Sequence, residues 1–353
     1  MVQVAPCVPL YWRFARHGCY NLSVKVSELG EFGLINLIGE MVGRAGKAPG
    51  GLILGIGDDA AAWKCAGGTQ LGTVDSLVEG VHFTLDTISW EELGWKSLAV
   101  NLSDIAAMGG VARYALISLA LPPETTVADV TAFYRGILEL AGKTGVALAG
   151  GDTCRSPLVN ITITVIGEAP GGKMLRRYAA RAGEMVAVTG YLGSAAAGLV
   201  MLSGNLNLET GLAACLDTAF HKPLPRLAEG RILVENDVRA GMDISDGLVI
   251  DLGHLAEMSG VSARIEAEKV PVEPRVKESF GKRALELALS GGEDYELLFT
   301  ADQETIIRLQ KVLPVPVTVL GEVIAGKAGK VSVVDGKGRE IALSSPGWEH
   351  FTA

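Results

Sequence analysis

Seven aspartates stand beside glycines, or at the ends of predicted helices and strands, in this 353-residue sequence. They are Asp58, Asp59, Asp75, Asp104, Asp152, Asp243 and Asp246. Short acidic side chains on turns can converge on one point, and converging carboxylates repel one another unless cations lie between them. Oxygen ligands without His or Cys favour Mg²⁺ over Zn²⁺, and Mg²⁺ held by carboxylates usually completes its coordination with water and phosphate. The pattern indicates a magnesium site for phosphorylated ligands.

Turn structure is the alternative explanation for each aspartate, because Asp beside Gly is common in turns and helix caps. Asp104 fits that alternative least, since it lies inside a predicted helix on a polar stripe with Asn101. Asp243 and Asp246 come next, three residues apart at a predicted helix start. Asp246 or Ser245 could nevertheless serve only as the cap of that helix.

Known nucleotide-binding motifs do not explain how this chain would bind ATP. Gly142-Lys143-Thr144 is similar to the end of a P-loop, but Ile137 stands where the motif requires Gly. That segment also follows a predicted helix, whereas a P-loop follows a strand. The sequence has no dinucleotide-binding glycine motif and no protein-kinase motif set. A different fold would therefore bind the nucleotide.

Composition and charge narrow the class of protein further. With 48% hydrophobic residues, 6% aromatics and 45 glycines, the chain fits an α/β protein of two domains. A net charge of −9 argues against nucleic acid as a partner, and a polyphosphate ligand would need neutralising cations. Five cysteines without a CxxC pair predict free thiols in a reducing cytoplasm. The apolar runs are too short to span a membrane.

Alternating strand and helix patterns would position the aspartates. The predicted strands are 52–56, 71–74, 114–121, 146–149 (a short buried strand), 159–165, 185–189, 297–300 and 315–323. The predicted helices are 91–108, 127–143, 190–203 and one that begins after Asp246. A Pro/Gly-rich turn around 169–172 predicts the domain boundary. We therefore expect an extension at 1–26 with no assigned role, and domains at 27–168 and 169–353.

Eight motifs, in the same order along the chain, resemble those of the thiamine-monophosphate kinase family. This family belongs to the superfamily of aminoimidazole ribonucleotide synthetase and selenophosphate synthetase. The motifs are 28–32, 55–60, 75–83, 96–104, 150–153, 243–248, 290–297 and 347–351. The resemblance implies an α/β fold of the α+β type, with two domains, mixed sheets and packed helices. It also implies a homodimer built by the N-terminal domain.

The resemblance further implies roles for individual residues. Those matching magnesium ligands are Asp59, Asp75, Asp104, Asp152, Asp243 and Asp246, with Asp58 beside them and the Thr73–Val74 region contributing by backbone or side chain. Those matching ATP contacts are Tyr134, Gly151, Asp152, Arg177 and Ser245. Those matching contacts to the thiamine moiety are His82, Glu293 and Trp348.

Some positions depart from the family pattern or have a simpler explanation. Val74 stands where Thr is common, so only its backbone could bind a metal. Arg176 adjoins Arg177, and a shift of one residue would exchange them at ATP. His82 could be a buried histidine, and Trp348 could simply pack the C-terminus. In the same way, Glu293 could be a helix-start carboxylate and Arg177 a surface ion pair.

The implied reaction is transfer of a phosphoryl group from ATP to thiamine monophosphate, with several Mg²⁺ ions and no acid–base residue. The acceptor is a phosphate oxygen that is already ionised near neutral pH. This agrees with the lack of a Ser/His/Asp or Cys/His arrangement. Three alternatives stay open: a ligase-type enzyme of the superfamily, a nucleotide-binding maturation factor with little turnover, and a metal-dependent phosphatase.

Overall fold

The computed structural model describes residues 26–44, 51–204, 206, 208–343, 345 and 347–350. The chain forms two compact units. The described part of the first contains helices α1 (Val26–Leu29) and α2 (Glu31–Arg44), together with Glu349 and His350. Within this unit the backbone N–H of His350 donates to Oε2 of Glu31 at 3.1 Å. The extension at 1–25, Cys7, Cys19 and Phe351 lie outside the described residues.

The second unit begins with a six-stranded mixed sheet. Its strands are β1 (Leu52–Leu54), β2 (Ala61–Cys65), β3 (Gly68–Val78), β4 (Val111–Leu121), β5 (Ala147–Arg155) and β6 (Asn160–Ala169). Their order is β1-β2-β3-β6-β4-β5, and only the β4–β5 pair is parallel. Because those two strands are parallel, a helical crossover joins them.

Two long helices accompany this sheet, α3 (Trp90–Ala107) and α4 (Val127–Thr144). Ser89 caps α3 in a capping box with Glu92, and this bonding fixes where the helix begins. The apolar stripe predicted for α3 is buried in one core with Phe133 of α4, and Leu98 is fully buried there. The predicted helices 91–108 and 127–143 are therefore confirmed to within one residue at each end.

The outer face of the first sheet is exposed, which the sequence did not predict. We expected a short buried strand at 146–149, but β5 runs from 147 to 155 and nearly all of its residues are exposed. On the same sheet the side chains of Val74, Tyr114 and Leu116 are also exposed. The prediction was wrong because an apolar run does not reveal whether any element covers the strand.

A second six-stranded sheet follows. Its strands are β7 (Met185–Thr189), β8 (Ala240–Asp243), β9 (Ser262–Glu266), β10 (Leu297–Ala301), β11 (Val317–Ile324) and β12 (Val331–Val334). The order is β12-β9-β11-β7-β10-β8, and only β12 and β9 are parallel. The change of sheet falls between positions 169 and 185. Two mixed sheets with packed helices confirm the predicted fold class.

The helices of this part are α5 (Ser194–Gly204), α6 (Thr210–His221), α7 (Leu227–Glu235), α8 (Leu248–Ser259), α9 (Pro274–Phe280), α10 (Arg283–Ser290) and α11 (Gln303–Val312). Short 3₁₀ turns lie at Pro170–Gly172, Arg177–Ala179 and Ala267–Lys269. The face of α3 that turns away from its own sheet packs against α7 and β8. Helix α3 therefore contacts elements of both sheets.

Helices α3 and α4 cross at backbone contact, which two glycines permit. A Cβ on Gly94 would lie 1.9 Å from the carbonyl oxygen of Phe133, and one on Gly136 would lie 1.8 Å from that of Glu91. Real Cβ atoms do not approach so closely. Because neither glycine has a side chain, the two helix backbones can lie in contact, and this contact fixes the position of α3 against α4.

We expect Gly136→Ala to lower the free energy of unfolding by about 1–3 kcal/mol or more, because α4 must move away from α3. The matched control is Gly142→Ala on the same helix, where an added Cβ meets nothing within 4 Å. The control should raise the free energy of unfolding by about 0.5–1 kcal/mol through helix propensity. Urea unfolding of both variants measures the difference. Equal stability of the two would contradict the close crossing.

Candidate active site

Five aspartates from both halves of the second unit meet where α3 ends; we call them the carboxylate cluster. Its members are Asp58 and Asp59 in the turn before β2, Asp75 on β3, Asp104 in the last turn of α3, and Asp243 at the end of β8. One carboxylate oxygen each from Asp59, Asp104 and Asp243 lie within 4.8 Å of one another. The chain thus brings together acidic residues that are far apart in sequence, as predicted from their chemistry.

Polar side chains on α3 and β3 orient these carboxylates. The hydroxyl of Thr73 donates to Oδ2 of Asp104. The hydroxyl of Ser103 donates to Oδ2 of Asp243 at 2.5 Å. Thr73 is therefore part of the site through its side chain, whereas Val74 points to the opposite face of β3 and is 58% exposed. Only the backbone of Val74 could serve a metal, as the sequence predicted.

One arginine faces the cluster. The guanidinium of Arg177 donates from both Nε and Nη2 to Oδ1 of Asp59, and its backbone N–H donates to Oδ1 of Asp58 at 3.4 Å. The neighbouring Arg176 instead donates from Nη1 to the hydroxyl of Tyr178 at 3.1 Å. Of the two adjacent arginines, Arg177 is the one that contacts the carboxylates. Its contact with ATP stays a prediction.

Burial and mutual repulsion make these carboxyl groups hard to ionise. Burial, followed by the charge of Asp59, raises the pKa of Asp58 and that of Asp243 to about 7 each. The same two causes raise the pKa of Asp75. Burial, followed by the charges of Asp75 and Asp243, raises the pKa of Asp104 well above its ordinary value. The nearby charge of Arg177 offsets only part of this effect at Asp58 and Asp243.

The donor set fits a divalent cation with a preference for oxygen ligands. The Oδ2 atoms of Asp58 and Asp59 are buried and have no hydrogen-bond partner among the described residues. A buried carboxylate oxygen without a donor is unfavourable, and a bound cation would satisfy it. All the converging atoms are carboxylate oxygens, which suit Mg²⁺ better than Zn²⁺.

The turn between β8 and α8 is held by an aspartate that the sequence analysis missed. The carboxylate of Asp251 accepts backbone N–H groups from Ser245, Asp246 and Gly247, at 3.1, 3.2 and 3.1 Å. The prediction that Ser245 or Asp246 caps α8 was wrong, because the cap residue is Gly247 and no side chain bonds at that position. An acidic residue in the first turn of a predicted helix could have signalled this arrangement.

Two of the predicted thiamine contacts are bonded to this same turn. The backbone N–H of Glu293 donates to the carbonyl oxygen of Ser245 at 2.7 Å. The backbone N–H of Trp348 donates to the carbonyl oxygen of Asp246 at 2.9 Å. A Cβ on Gly292 would lie 2.6 Å from the oxygen of Ser245, at a φ of 66° that favours glycine. Glu293, Trp348 and the loop that follows Asp243 are therefore neighbours.

His82, the third predicted thiamine contact, lies in the turn after β3. Its Nδ1 accepts the backbone N–H of Val78 at 3.0 Å. An Nδ1 that accepts a hydrogen bond carries no proton, so the imidazole N–H is on Nε2. The ring orientation is thus set by the backbone bond to Nδ1.

Asp152 lies on β5, away from the carboxylate cluster. In the strand register it pairs with Ser118 on β4, and the same row continues through Thr162 on β6 to Ser76 on β3. Asp75 precedes Ser76 on β3 and so faces the other side of the sheet. Three strand spacings, about 14 Å, also separate β5 from β3. Within one chain Asp152 does not reach the other carboxylates.

Gly151 and Tyr134 are the two remaining predicted ATP residues. Gly151 precedes Asp152 on β5, where a Cβ would lie 1.8 Å from the carbonyl oxygen of Ile117, so only glycine fits. Tyr134 on α4 lines a cavity of about 590 Å³ together with Val130 and Leu138. The role of both residues in ATP binding stays a prediction.

A second group of possible ligands joins the start of α3 to the end of α6. One oxygen each from Glu92 and Asp217 and one ring nitrogen of His221 lie within 4.8 Å of one another. Each of the two carboxylates already has a hydrogen-bond partner near the end of its own helix. Glu92 accepts from the N–H of Ser89 at 2.9 Å, and Asp217 lies 3.1 Å from Nδ1 of His221 one turn later.

Two further predictions concern the whole chain. The described cysteines, Cys65, Cys154 and Cys215, are free and exposed. In the parts of the chain that the structure describes, every helix is too short or too polar to cross a membrane.

Family models, curated kinases and a solved structure are similar to this chain. Two family models match the chain, the AIR synthase related protein N-terminal domain at 57–169 and its C-terminal domain at 181–334. A thiamine-monophosphate kinase of Aquifex aeolicus is 37% identical over 331 residues, which are 93% of this chain and 100% of that protein. That of Bacillus subtilis is 38% identical over 309 residues, 84% of this chain and 93% of that protein. A solved structure of AaThiL complexed with AMPPCP and TMP has a TM-score of 0.81 at 35% identity, covering 93% of this chain and 99% of that one.

The raised pKa values predict how stability depends on pH when metal is removed. Asp243 ionises near pH 7 in the folded chain but near 3.8 when exposed, so between these values the folded state binds more protons. Its contribution to stability is therefore present at low pH and lost as the pH rises through 7. Asp243→Asn removes the ionisable group, and with it this loss of stability at high pH. In EDTA we expect the free energy of unfolding of the variant, relative to that of the wild type, to increase by on the order of 1 kcal/mol or more between pH 5 and pH 8.

Urea unfolding of both proteins at the two pH values measures this gain. Added Mg²⁺ should then stabilise the wild type more than the variant at pH 8. A stability difference between the two proteins that is constant with pH, or that shrinks as the pH rises, would show that Asp243 is not crowded by like charges.

Proposed function

We propose, since the chain belongs to the family of thiamine-monophosphate kinases, that it transfers the terminal phosphoryl group of ATP to thiamine monophosphate. The products are ADP and thiamine diphosphate. The sequence-based assignment to this family is confirmed by the extent of the match to curated kinases. The observation that carries the proposal is the bonding of Glu293 and Trp348 to the loop that follows Asp243. This bonding joins an organic-substrate surface to a cation site.

The chemistry requires positioning more than proton transfer. A phosphate oxygen of thiamine monophosphate attacks the γ-phosphorus of ATP, and the bond from that phosphorus to the β–γ bridging oxygen breaks. The attacking oxygen is already ionised near neutral pH, because the second pKa of a phosphate monoester is about 6. No side chain has to act as a base, so we propose direct transfer without a phosphoenzyme. Most of the rate enhancement would come from holding two polyanions in line.

Mg²⁺ is the proposed metal, and several ions are expected. The cluster residues Asp58, Asp59, Asp75, Asp104 and Asp243 would hold it, with Asp246 as a further candidate and the Thr73–Val74 region adjoining. When bound, the metal neutralises phosphate charge and stabilises charge that develops during transfer. The chain itself contributes Arg177 as a fixed cation at the edge of the cluster, where a phosphate would gain charge-assisted hydrogen bonds. Ser245, in the loop held by Asp251, would add a polar contact to ATP.

The thiamine end of the substrate is flat, carries a cationic ring and bears an amino group. Trp348 is 55% exposed, and its indole would stack on a ring of the substrate. The carboxylate of Glu293 suits the positive charge and the amino group. His82 is the third proposed contact, with a ring oriented by the backbone of Val78. These three residues are the proposed substrate contacts.

We further propose that a second copy of the chain completes the site. Asp152 cannot join the cluster of its own chain, and it lies on an exposed sheet face that includes Val74, Tyr114 and Leu116. The edge strand β5 also presents unpaired backbone groups, which proteins usually cover. Packing this face against its equivalent in a homodimer would bury it and carry Asp152 to the partner's ligands. The proposed compartment is the cytoplasm, where ATP is available.

The function itself is tested by incubating the purified protein with ATP, Mg²⁺ and thiamine monophosphate, and separating the products by chromatography. We expect thiamine diphosphate and ADP in equal amounts. Asp104→Asn should reduce turnover by at least about 100-fold while the protein remains folded, because one charged ligand of the cluster is lost. Free phosphate with no thiamine diphosphate would instead indicate a phosphatase. Full activity of Asp104→Asn would remove Asp104 from the site.

The shared site is tested by mixing two inactive variants. If Asp152 acts across the dimer, a heterodimer of Asp152→Asn and Asp104→Asn has one site with both defects and one with none. Co-expression should then restore about a quarter of the wild-type activity, since half of the randomly formed dimers are mixed. The matched control co-expresses Asp104→Asn with Asp243→Asn, whose defects fall in every site, and it should restore nothing. Failure of the first pair to recover, or full activity of Asp152→Asn alone, contradicts the shared site.

A further inference from the structure

A buried lysine lies directly behind the proposed substrate carboxylate. Nζ of Lys96 on α3 is 2.8 Å from Oε1 of Glu293, and the two side chains are 1% and 30% exposed. The same ammonium lies 3.8 Å from the centre of the Phe220 ring, a favourable position for a cation. Lysine is almost never fully buried without a partner. The proposed phosphoryl transfer assigns no role to it.

The backbone of Glu293 is fixed as firmly as its side chain. Its φ is 59°, and that of Tyr295 is 49°, in a region that residues other than glycine rarely adopt. Two hydrogen bonds hold this conformation, from the N–H of Glu293 to Ser245 at 2.7 Å and from the N–H of Tyr295 to Ile244 at 2.9 Å. The carboxylate therefore has one anchored end, and Lys96 anchors the other.

Helix α3 relates this ion pair to the carboxylate cluster. Lys96 and Ser103 are seven residues apart, two helical turns, so they lie on one face about 10 Å from each other. Ser103 bonds Asp243, and Lys96 pairs with Glu293. One rigid helix thus contacts a proposed metal ligand and a proposed substrate contact at a fixed spacing.

We propose that Lys96 is a positioning residue, which holds the carboxylate of Glu293 directed at the organic moiety of the substrate. The inference rests on the proposed function of the site. Oε1 of Glu293 faces the buried ammonium, so Oε2 is the oxygen left for a ligand on the exposed side. The amino group and the cationic ring of thiamine monophosphate are the groups that an ionised carboxylate would recognise.

A purely structural ion pair explains these observations less well. Replacing a buried ion pair by apolar residues is often neutral or stabilising, so stability alone gives little reason to keep a lysine here. Its partner is also the more exposed member and lies in a loop bonded to the cluster. The pair thus stands where a ligand would contact it.

The experiment measures steady-state constants for wild type, Lys96→Met, Lys96→Arg, Glu293→Gln and the double variant Lys96→Met/Glu293→Gln. Methionine keeps an unbranched side chain but removes the charge. We expect Lys96→Met to raise the KM for thiamine monophosphate by about 10- to 100-fold, the range for losing a charged hydrogen bond. The KM for ATP should change less than about 3-fold, a shift that corresponds to less than one such bond. Lys96→Arg, which keeps the cation, should lie closer to the wild type.

The double variant separates positioning from general support of the fold. If Lys96 acts through Glu293, its loss should have little further effect once Glu293 is replaced, so the two effects are not additive. Ser97→Ala is the matched control, because Ser97 is equally buried on α3 but bonds only within the helix, to Leu93. It should leave the KM for thiamine monophosphate unchanged. Thermal unfolding confirms that each variant is folded.

Several outcomes would overturn the inference. Equal increases in both KM values, fully additive effects in the double variant, or an unchanged KM in Lys96→Met each exclude a positioning role. If Lys96→Met does not fold, the comparison rests on Lys96→Arg and Glu293→Gln, and a normal KM in Glu293→Gln excludes the role. If the wild type itself does not phosphorylate thiamine monophosphate, the proposed function has failed, and this inference fails with it. A failure at Lys96 alone leaves the proposed function intact.

Discussion

Repulsion among buried carboxylates is the constraint on which the rest of the site depends. Five carboxyl groups meet where little water reaches them, and burial, followed by the charge of Asp59, raises the pKa of Asp58 and that of Asp243 to about 7. Asp104 also lies in the last turn of α3, where the helix dipole is negative and a carboxylate is least favoured. A single arginine, Arg177, offsets only part of this charge. The folded chain therefore stores unfavourable electrostatic energy that cations, and the phosphates they attract, can relieve.

The loop between β8 and α8 connects the carboxylate cluster to the proposed substrate contacts. Asp251 takes the place of a conventional helix cap by accepting three consecutive N–H groups, and the carbonyl oxygens of Ser245 and Asp246 accept hydrogen bonds on the same turn. Those oxygens bind the backbones of Glu293 and Trp348. The proposed metal ligands and the proposed contacts to the organic group are thus separated by one short turn. A shift in that turn would change both together.

The sequence predicted the parts of this structure that depend on local pattern or on side-chain chemistry. The strand at 185–189 and helices α3 and α4 follow from periodicity, and the meeting of Asp59, Asp104 and Asp243 follows from what such side chains require. The exposure of β5 could not be predicted, because the sequence pattern of an apolar strand is the same whether its own chain or another chain covers it. The partner of Lys96 lies far along the chain, in a loop whose left-handed backbone has no short-range signal at Glu293.

Helix α3 is in contact with both sheets, and this has a thermodynamic consequence. Its backbone touches α4 through Gly94 and Gly136, so it cannot tilt without moving the first core. Its polar face is bonded to Asp243 and Glu293 at the same time. A ligand that shifts α3 at one of these contacts would shift the other contact with it. By linkage, any resulting effect of nucleotide binding on the affinity for thiamine monophosphate would be mutual and equal in free energy.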